Sequence, residues 1–551
     1  MSPRQTLLLL LLAASIGAPA PAADAQEAPA ILQAIVERGE LDDLRWPRFA
    51  ELTPALVALY EPRGWAPLWL DDAVPTAQAR EAIAVLVEAD AHGLDARDYD
   101  AAPLDTEMHR IARDRHPPAE AQAHFDAALS VALMRHLSDV RVGRVDPRSL
   151  GFGYDPASKQ LDLAAVVASA VRDDRIAAAV DEARPPFAER RLLEEQLARQ
   201  REIAADASLA PPQIALGPKR KKIVAGGALP EAADLMRWLV AHGDLEGDAV
   251  VPALYEGGLV DAVRRFQARH GLDVDGVIGA GTAKALAVPA SVRVRQIELA
   301  LERLRWLPDV AGERVVVVNV PSFELAAYDA VGPDATPALQ MAVIFGRAVR
   351  TETPIFVGTM RTVVFAPYWN VPRSILRNEI LPKLAKNPSY LVQENMEIVM
   401  RGNAVATNAD TIGALASGGA RVRQRPGAKN SLGRVKFLFP NRYDVYLHDT
   451  PSRSLFLRAR RDFSHGCIRV AEPEALARWV LGPEGWDDAR VAAGLALTRE
   501  TSVPLAHPIP VVVYYTTAVA RSDGTIGFYD DVYRRDAALE AALAEGGRYR
   551  R

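Results

Sequence analysis

The apolar residues of this 551-residue chain pass from a helical to a strand period near residue 312, and that change divides what it can fold into. From about 46 to 205 the pattern is helical; a linker or extended crossing follows over 205–228, and helices return in 230–288 and 291–309. "AREAIAVLVEADAHGL" and "AHFDAALSVALMRHLSDVRVG" carry apolar residues three and four apart, the spacing that lines one face of a helix. Gly93 and Gly143 stand where helix-stopping glycines belong. Beyond 312, "ERVVVVNVPSFELAAYDA", "LQMAVIFGR" and "TVVFAPYWNV" are β-branched runs and alternations, which read as strands. A helical, Asn- and Gly-containing stretch over 374–422 interrupts them. Strands resume at "GRVKFLFPNRYDVYLHDT", and "HPIPVVVYYTTAVARSDGTIGFYDD" adds two more around Asp523-Gly524. The expected class is multidomain α+β. A mainly helical scaffold covers 46–228 and a compact helical unit covers 230–288. A β-rich, sandwich-like domain covers 312–500 with its helical insertion, and C-terminal strands and a tail cover 501–551.

The chain opens "MSPRQTLLLLLLAASIGAPAPAADAQ". Arg4, the apolar run Leu7 to Ala18 and the small-x-small Ala23-Asp24-Ala25 make a secretory signal peptide over 1–25. The competing reading is an uncleaved anchor, but the run is shorter than the ~18–20 residues a spanning helix needs. No cysteine follows the run, which excludes a lipidated cysteine anchor. The chain is 49% apolar and 25% charged, with a net charge of −5. That balance is ordinary for a globular protein and offers no electrostatic case for nucleic acid or an anionic membrane.

Cys467, in "FSHGCIR", is the only cysteine. Exported proteins use cysteines mostly in pairs, so an unpaired thiol is an intermolecular bridge, an inert buried group or a nucleophile. A thiol at its ordinary pKa is mostly protonated at neutral pH and needs a base. His465 lies two residues before it, and His448 nineteen before it at the end of "VYLH". If "RYDVYLH" is a strand and the cysteine loop returns to the sheet, His448 lies beside the thiol. Gly466 leaves room for backbone amides to face an oxyanion, and Arg461 and Arg469 flank the site. His448, Asp449, His465 and Cys467 also make a candidate zinc set, although the His-x-Cys spacing is awkward and no second cysteine arm exists. Asp273, Asp275 and Gly276 hint at a calcium loop that lacks its bidentate acidic residue. "KRKK" at 219–222 reads as a solvated face in a linker, and the aromatic cluster "GWAPLWL" reads as packing rather than a ligand platform.

"AVRRFQARHGLDVDGVIGAGTAKAL" resembles the three-helix peptidoglycan-binding domain family. "HDT" at 448–450 followed by "SHGCIRV" at 464–470 resembles the YkuD-type L,D-transpeptidase catalytic domain, and "PYWNVPRSI", "RQRPGAKNSLGRVKFLFPN" and the helical N-terminal region resemble its large Gram-negative branch. The resemblance implies a periplasmic, cofactor-free and metal-free enzyme. It would bind peptidoglycan stem peptides and glycan, act beside other cell-wall synthesis enzymes and be a carbapenem target. Cys467 would be the nucleophile and His448 the general acid/base, oriented by the backbone carbonyl of Asp449. Ser464, His465 and Gly466 would set the oxyanion turn with support from Arg469, while Tyr446, Trp369, Tyr368 and Arg461 are cleft candidates. The insertion at 374–422 would be a lid. The implied reaction forms 3→3 cross-links and releases terminal D-Ala; carboxypeptidase action or D-amino-acid exchange at the same cysteine is the alternative.

Overall fold

The computed structural model describes residues 23–218, 220–247, 250–348, 351–521 and 523–550; the leader expected over 1–25 lies, up to residue 22, outside the described residues. No helix among the described residues is long and apolar enough to cross a membrane. Two compact units result. One takes the chain through Glu88 with Asp95–Leu137 and Asp162–Asp181; the other takes Ala89–Leu94, Ser138–Leu161 and the chain from Glu182 onward.

The first unit is helical: α1 (Ala23–Arg38), α2 (Thr53–Tyr60), a short hairpin β1 (Leu70–Asp71) and β2 (Val74–Pro75), α3 (Ala77–Val87), α4 (Ala101–Arg113), most of α5 (Ala119–Val142), α6 (Leu163–Arg172) and most of α7 (Ile176–Ala183). The Thr76 hydroxyl accepts the Ala79 amide and caps α3. Fully buried Asp126 on α5 accepts the Leu68 and Trp69 amides and the Tyr60 hydroxyl. Trp69 is fully buried and its indole donates to Ser130 at 2.8 Å, so the 68–70 end of the aromatic cluster is core.

In the second unit, α8 (Ala188–Ala205) leads to α9 (Ala232–Ala241), α10 (Gly258–Arg269) and α11 (Ala280–Leu286). Leu235, Leu239, Val263, Phe266 and Leu286 form one core with Ile214 and Ile223. The stretch before α9, read from sequence as a linker, is therefore part of the three-helix unit. Ile223 exchanges both backbone hydrogen bonds with Ile278, and Arg220 of the basic run pairs with Glu231 at 3.4 Å.

After α12 (Ala290–Leu304) come β3 (Val315–Asn319), β4 (Glu324–Tyr328), β5 (Leu339–Gly346) and β6 (Val357–Phe365). The insertion follows: β7 (Trp369–Asn370), α13 (Arg373–Ile375), a π-turn over Leu376–Ile380, α14 (Leu381–Lys386), α15 (Tyr390–Gln393), β8 (Met396–Met400), β9 (Asn403–Val405), α16 (Ala409–Ser417) and β10 (Arg421–Gln424). The chain then gives β11 (Val435–Leu438), β12 (Leu447–His448), β13 (Asp462–Ser464), β14 (Ile468–Val470), α17 (Pro473–Leu481), α18 (Asp488–Leu495), β15 (Thr501–Tyr514), β16 (Ala518–Ala520), β17 (Ile526–Phe528) and α19 (Asp536–Ala544).

The main sheet runs β13-β5-β14-β12-β11-β6-β15-β3-β4, and β4 pairs with β5 as well, so the sheet closes on itself. Val316, Val343, Val363, Phe437 and Ile468 from different strands share one core. Closure leaves most strands without a free edge. The sheet runs past residue 500, the boundary read from sequence, because β15 lies between β6 and β3. Pro504, Pro508 and Pro510 disguise this strand. They are tolerated because Thr501–Pro504 pair with β6 alone, and the register shifts between Pro504 and Ile509.

The insertion, read from sequence as helical, is a mixture of helices and strands. β7, β10, β8 and β9 form a four-stranded antiparallel sheet, and Ile380, Leu384, Leu391, Ile398 and Val422 give it a core of its own. Its strands are only 2 to 5 residues long, too short to show an alternation.

Candidate active site

The parallel pairing of β12 with β14 matches Leu447 with Ile468 and His448 with Arg469, and the Ile468 amide donates to the Tyr446 carbonyl at 3.1 Å. This register sets Tyr446 and His448 beside the Cys467 turn. The turn is tied down by its own side chains: Ser464 Oγ donates to the Cys467 carbonyl at 2.6 Å and accepts the Gly466 amide at 3.1 Å. Thr353 Oγ1 donates to the Gly466 carbonyl at 2.8 Å. Gly466 has φ +119°, and a Cβ there would meet nothing within 4 Å, so the space in front of it is open.

From sequence, Gly466 leaves room for backbone amides to face an oxyanion; its own amide is not one of them, because Ser464 Oγ accepts it. Among the described residues the Cys467 amide makes no hydrogen bond, which leaves it as the backbone donor next to the thiol.

The Cys467 thiol donates to the Asp444 carbonyl at 3.7 Å. No hydrogen bond joins it to His448 among the described residues; such bonds are often long before substrate arrives. Burial pushes the thiol up from its ordinary value, while the neighbouring Tyr446 backbone and phenol and the Arg469 charge pull it partly back. Burial raises the Tyr446 phenol too.

His448 is 4% exposed. Its Nδ1 donates to the Asp449 carbonyl at 2.5 Å, which assigns Nε2 as the basic nitrogen. Burial, reinforced by the Arg469 charge, lowers it to about 3, so the imidazole is neutral at physiological pH. Its ring centroid lies 5.7 Å from that of Tyr446. The Asp449 carboxylate accepts the Thr450 amide at 2.7 Å and the Arg434 amide at 2.8 Å, fixing the peptide whose carbonyl holds the histidine.

The other predicted residues separate. His465 Nε2 meets Glu379 Oε1 of the insertion at 2.6 Å, a shaping contact rather than that of a base. Arg469 is half-buried, its charge felt by Cys467 and His448, and its Nε makes no hydrogen bond. Tyr368 lines the cavity beneath the Arg423 guanidinium, 4.2 Å from its ring centroid. Trp369 does not line the cavity; it packs on the core of the insertion, because β7 turns successive side chains to opposite faces. Arg461 is also no cleft residue: its guanidinium donates to the carbonyls of Val343, Arg458 and Phe323. A zinc set is ruled out by direction, since His465 turns to Glu379 and the Asp449 carboxylate to backbone amides.

Cys467, Gly466, Tyr446 and Asp444 open into a cavity of about 930 Å³ whose other wall is the insertion. Sequence reasoning missed the charge of that wall. Arg373, Arg377, Arg401, Arg421 and Lys436 line it, and Arg377, Arg401 and Arg421 make no ion pair among the described residues. A wall with free guanidinium groups suits a substrate bearing carboxylates. The signal was legible as a recurrence of arginine through 373–425.

Residues 313–513 match the L,D-transpeptidase catalytic domain family, residues 54–197 a scaffold domain and residues 230–286 a family described as "Putative peptidoglycan binding domain". A Haemophilus influenzae protein named "Putative L,D-transpeptidase" is 34% identical over 250 residues, 45% of this chain and 49% of that protein. The chain thus spans about half the length of the curated relative it matches. A solved L,D-transpeptidase structure from Xylanimonas cellulosilytica is similar at 17% identity, covering 55% of this chain and 98% of that one, with a TM-score of 0.18. The chain therefore carries an L,D-transpeptidase catalytic domain of the YkuD family, joined to a scaffold domain and a peptidoglycan-binding domain.

Proposed function

We propose that this protein is a cysteine-dependent L,D-transpeptidase that forms 3→3 cross-links between peptidoglycan stem peptides in the periplasm. The observation that carries the reading is the Cys467 thiol beside Tyr446 at the mouth of a cation-lined cavity, with a neutral, oriented His448 on the adjacent strand.

A tetrapeptide stem enters with its carboxylates on the arginines of the insertion. The Cys467 side chain rotates from the Asp444 carbonyl toward His448. The Sγ proton passes to Nε2 as Sγ attacks the carbonyl carbon of the third residue. The oxyanion is met by the Cys467 amide and by the Tyr446 hydroxyl. The C–N bond breaks, and D-Ala leaves with the proton from Nε2 on its amine. A side-chain amine of a second stem attacks the thioester, gives its proton to Nε2 and expels the thiol, which regains that proton. The neutral His448 suits this cycle, because it must accept a proton at physiological pH and return it. The three-helix unit would hold wall material near the site.

The test is product analysis by mass spectrometry after incubation with purified disaccharide-tetrapeptide. The account expects a cross-linked dimer with one D-Ala released per bond. Tripeptide as the sole product, with abundant acceptor present, would instead mark a carboxypeptidase.

A further inference from the structure

A second cavity, of about 560 Å³, shares no lining residue with the Cys467 cavity. Its walls come from α11 and the end of α10, from α12, and from the chain after β17. Its volume falls in the range of small-ligand sites. The charges on its walls divide into those already engaged and those that are not. Asp531 accepts the Tyr515 hydroxyl and Asp536 pairs with Arg303; Arg295 pairs with Glu298 and Glu540. These hold the fold.

Arg293 is different. It is 7% exposed, and its guanidinium lies over the Phe528 ring at 4.7 Å. It donates to Gln296 Oε1 at 2.7 Å and to the Ala285 carbonyl at 3.2 Å, both neutral. Among the described residues no carboxylate stands within ion-pair distance of it. Burial and the neighbouring Arg269 charge pull it down to about 9. The Asp530 charge partly offsets this, but from beyond ion-pair distance. A buried cation so weakly countered is costly and is ordinarily paired. Here the space beside it is an open cavity. Lys284 and Asp530, on the same cavity walls, are exposed and make no ion pair among the described residues.

We propose that this cavity is a second peptide site, in which Arg293 and Lys284 hold the free carboxylate of a stem peptide and Asp530 receives its side-chain amine. The proposal rests on the peptidoglycan reading above and names where the wall is gripped: at the seam of the three-helix unit with α12 and the C-terminal strands. A charge-assisted contact of this kind confers about a tenfold preference for a carboxylate over its amide.

The experiment uses the full chain carrying Cys467→Ala and a stem tetrapeptide with a photoreactive group on its N-terminal amine. Mass spectrometry locates the cross-linked residues. The expected label falls within 281–296 or 526–540 as well as in the Cys467 cavity. Amidating the peptide's C-terminal carboxylate, or substituting Lys284→Gln, lowers that label about tenfold. Lys284 is exposed, so its substitution leaves the fold intact; Arg293→Gln gives the same loss in a chain whose melting is unchanged. With Cys467 present, Lys284→Gln leaves turnover of soluble tetrapeptide at the wild-type rate. No label in those segments, or label indifferent to both the amide and Lys284→Gln, overturns the site. Label there without any turnover by the wild-type enzyme keeps the site and removes the transpeptidase reading instead.

Discussion

The Nδ1–H of His448 donates to the carbonyl oxygen of Asp449 at 2.5 Å, which leaves Nε2 as the one ring nitrogen free to take a proton. Burial lowers the imidazole to about 3 and raises the thiol, so both partners rest neutral. A base works while it is neutral, which for this ring means above about pH 3. The pH profile of kcat/KM should therefore lack a histidine limb between roughly pH 5 and 7. A rate that falls tenfold per pH unit below about 6.5, the ordinary histidine value, would mean that the working imidazole is solvated, not buried.

The Asp449 carboxylate, clamped by the Thr450 and Arg434 amides, holds the carbonyl that orients His448. Asp449→Ala should lower kcat by about ten- to a hundredfold with little change in KM, through misplacement of the base. Steady-state kinetics on the folded variant decide this; an equal loss in KM alone would place Asp449 in binding.

His448→Ala should cost about 10²–10⁴-fold in kcat. His465→Ala should cost much less, because the His465 ring meets Glu379 of the insertion and, among the described residues, makes no hydrogen bond to the sulfur. If the order is reversed in variants of equal melting temperature, the roles of the two histidines are exchanged.

Tyr446→Phe removes one hydroxyl and keeps the ring. The thiolate loses a donor that favours it, so iodoacetamide should alkylate Cys467 more slowly at pH 7. The loss of an oxyanion donor should lower kcat by about 10²-fold. Unchanged alkylation and turnover would leave Tyr446 a packing residue.

Arg401 and Arg421 are exposed on the insertion wall of the cavity. Substituting either with Ala should raise KM for tetrapeptide about tenfold with kcat nearly constant. A change confined to kcat would contradict carboxylate binding by this wall.

Much of the site was legible because its residues are close in sequence or carried by one strand. A lone cysteine two residues after a histidine, with "VYLHDT" upstream, points to Cys467 and His448; the β12–β14 pairing is the one fact needed to join them. What stayed hidden depends on direction. Spacing does not say that the Gly466 amide turns to Ser464, nor that Arg461 spends its donors on carbonyls of distant segments. Trp369 and Tyr368 look alike as neighbouring aromatics, yet strand alternation sends one into the insertion core and the other into the cavity. The strands of the insertion are too short to show a period, and the prolines of β15 mask a strand that tertiary pairing nonetheless holds. The N-terminal helices were the easiest to read, because α5 repeats its apolar spacing over 24 residues.

The central claim is that Cys467 is an acyl-accepting nucleophile, and a β-lactam tests it most directly. A strained β-lactam carbonyl can be opened by a thiol with a base and an oxyanion site, and a merely structural cysteine reacts slowly at neutral pH. Intact-protein mass spectrometry of the full chain after incubation with a carbapenem should show one adduct per chain, absent from Cys467→Ala. An unmodified mass in a preparation that turns over tetrapeptide, or an adduct that survives in Cys467→Ala, would contradict the account.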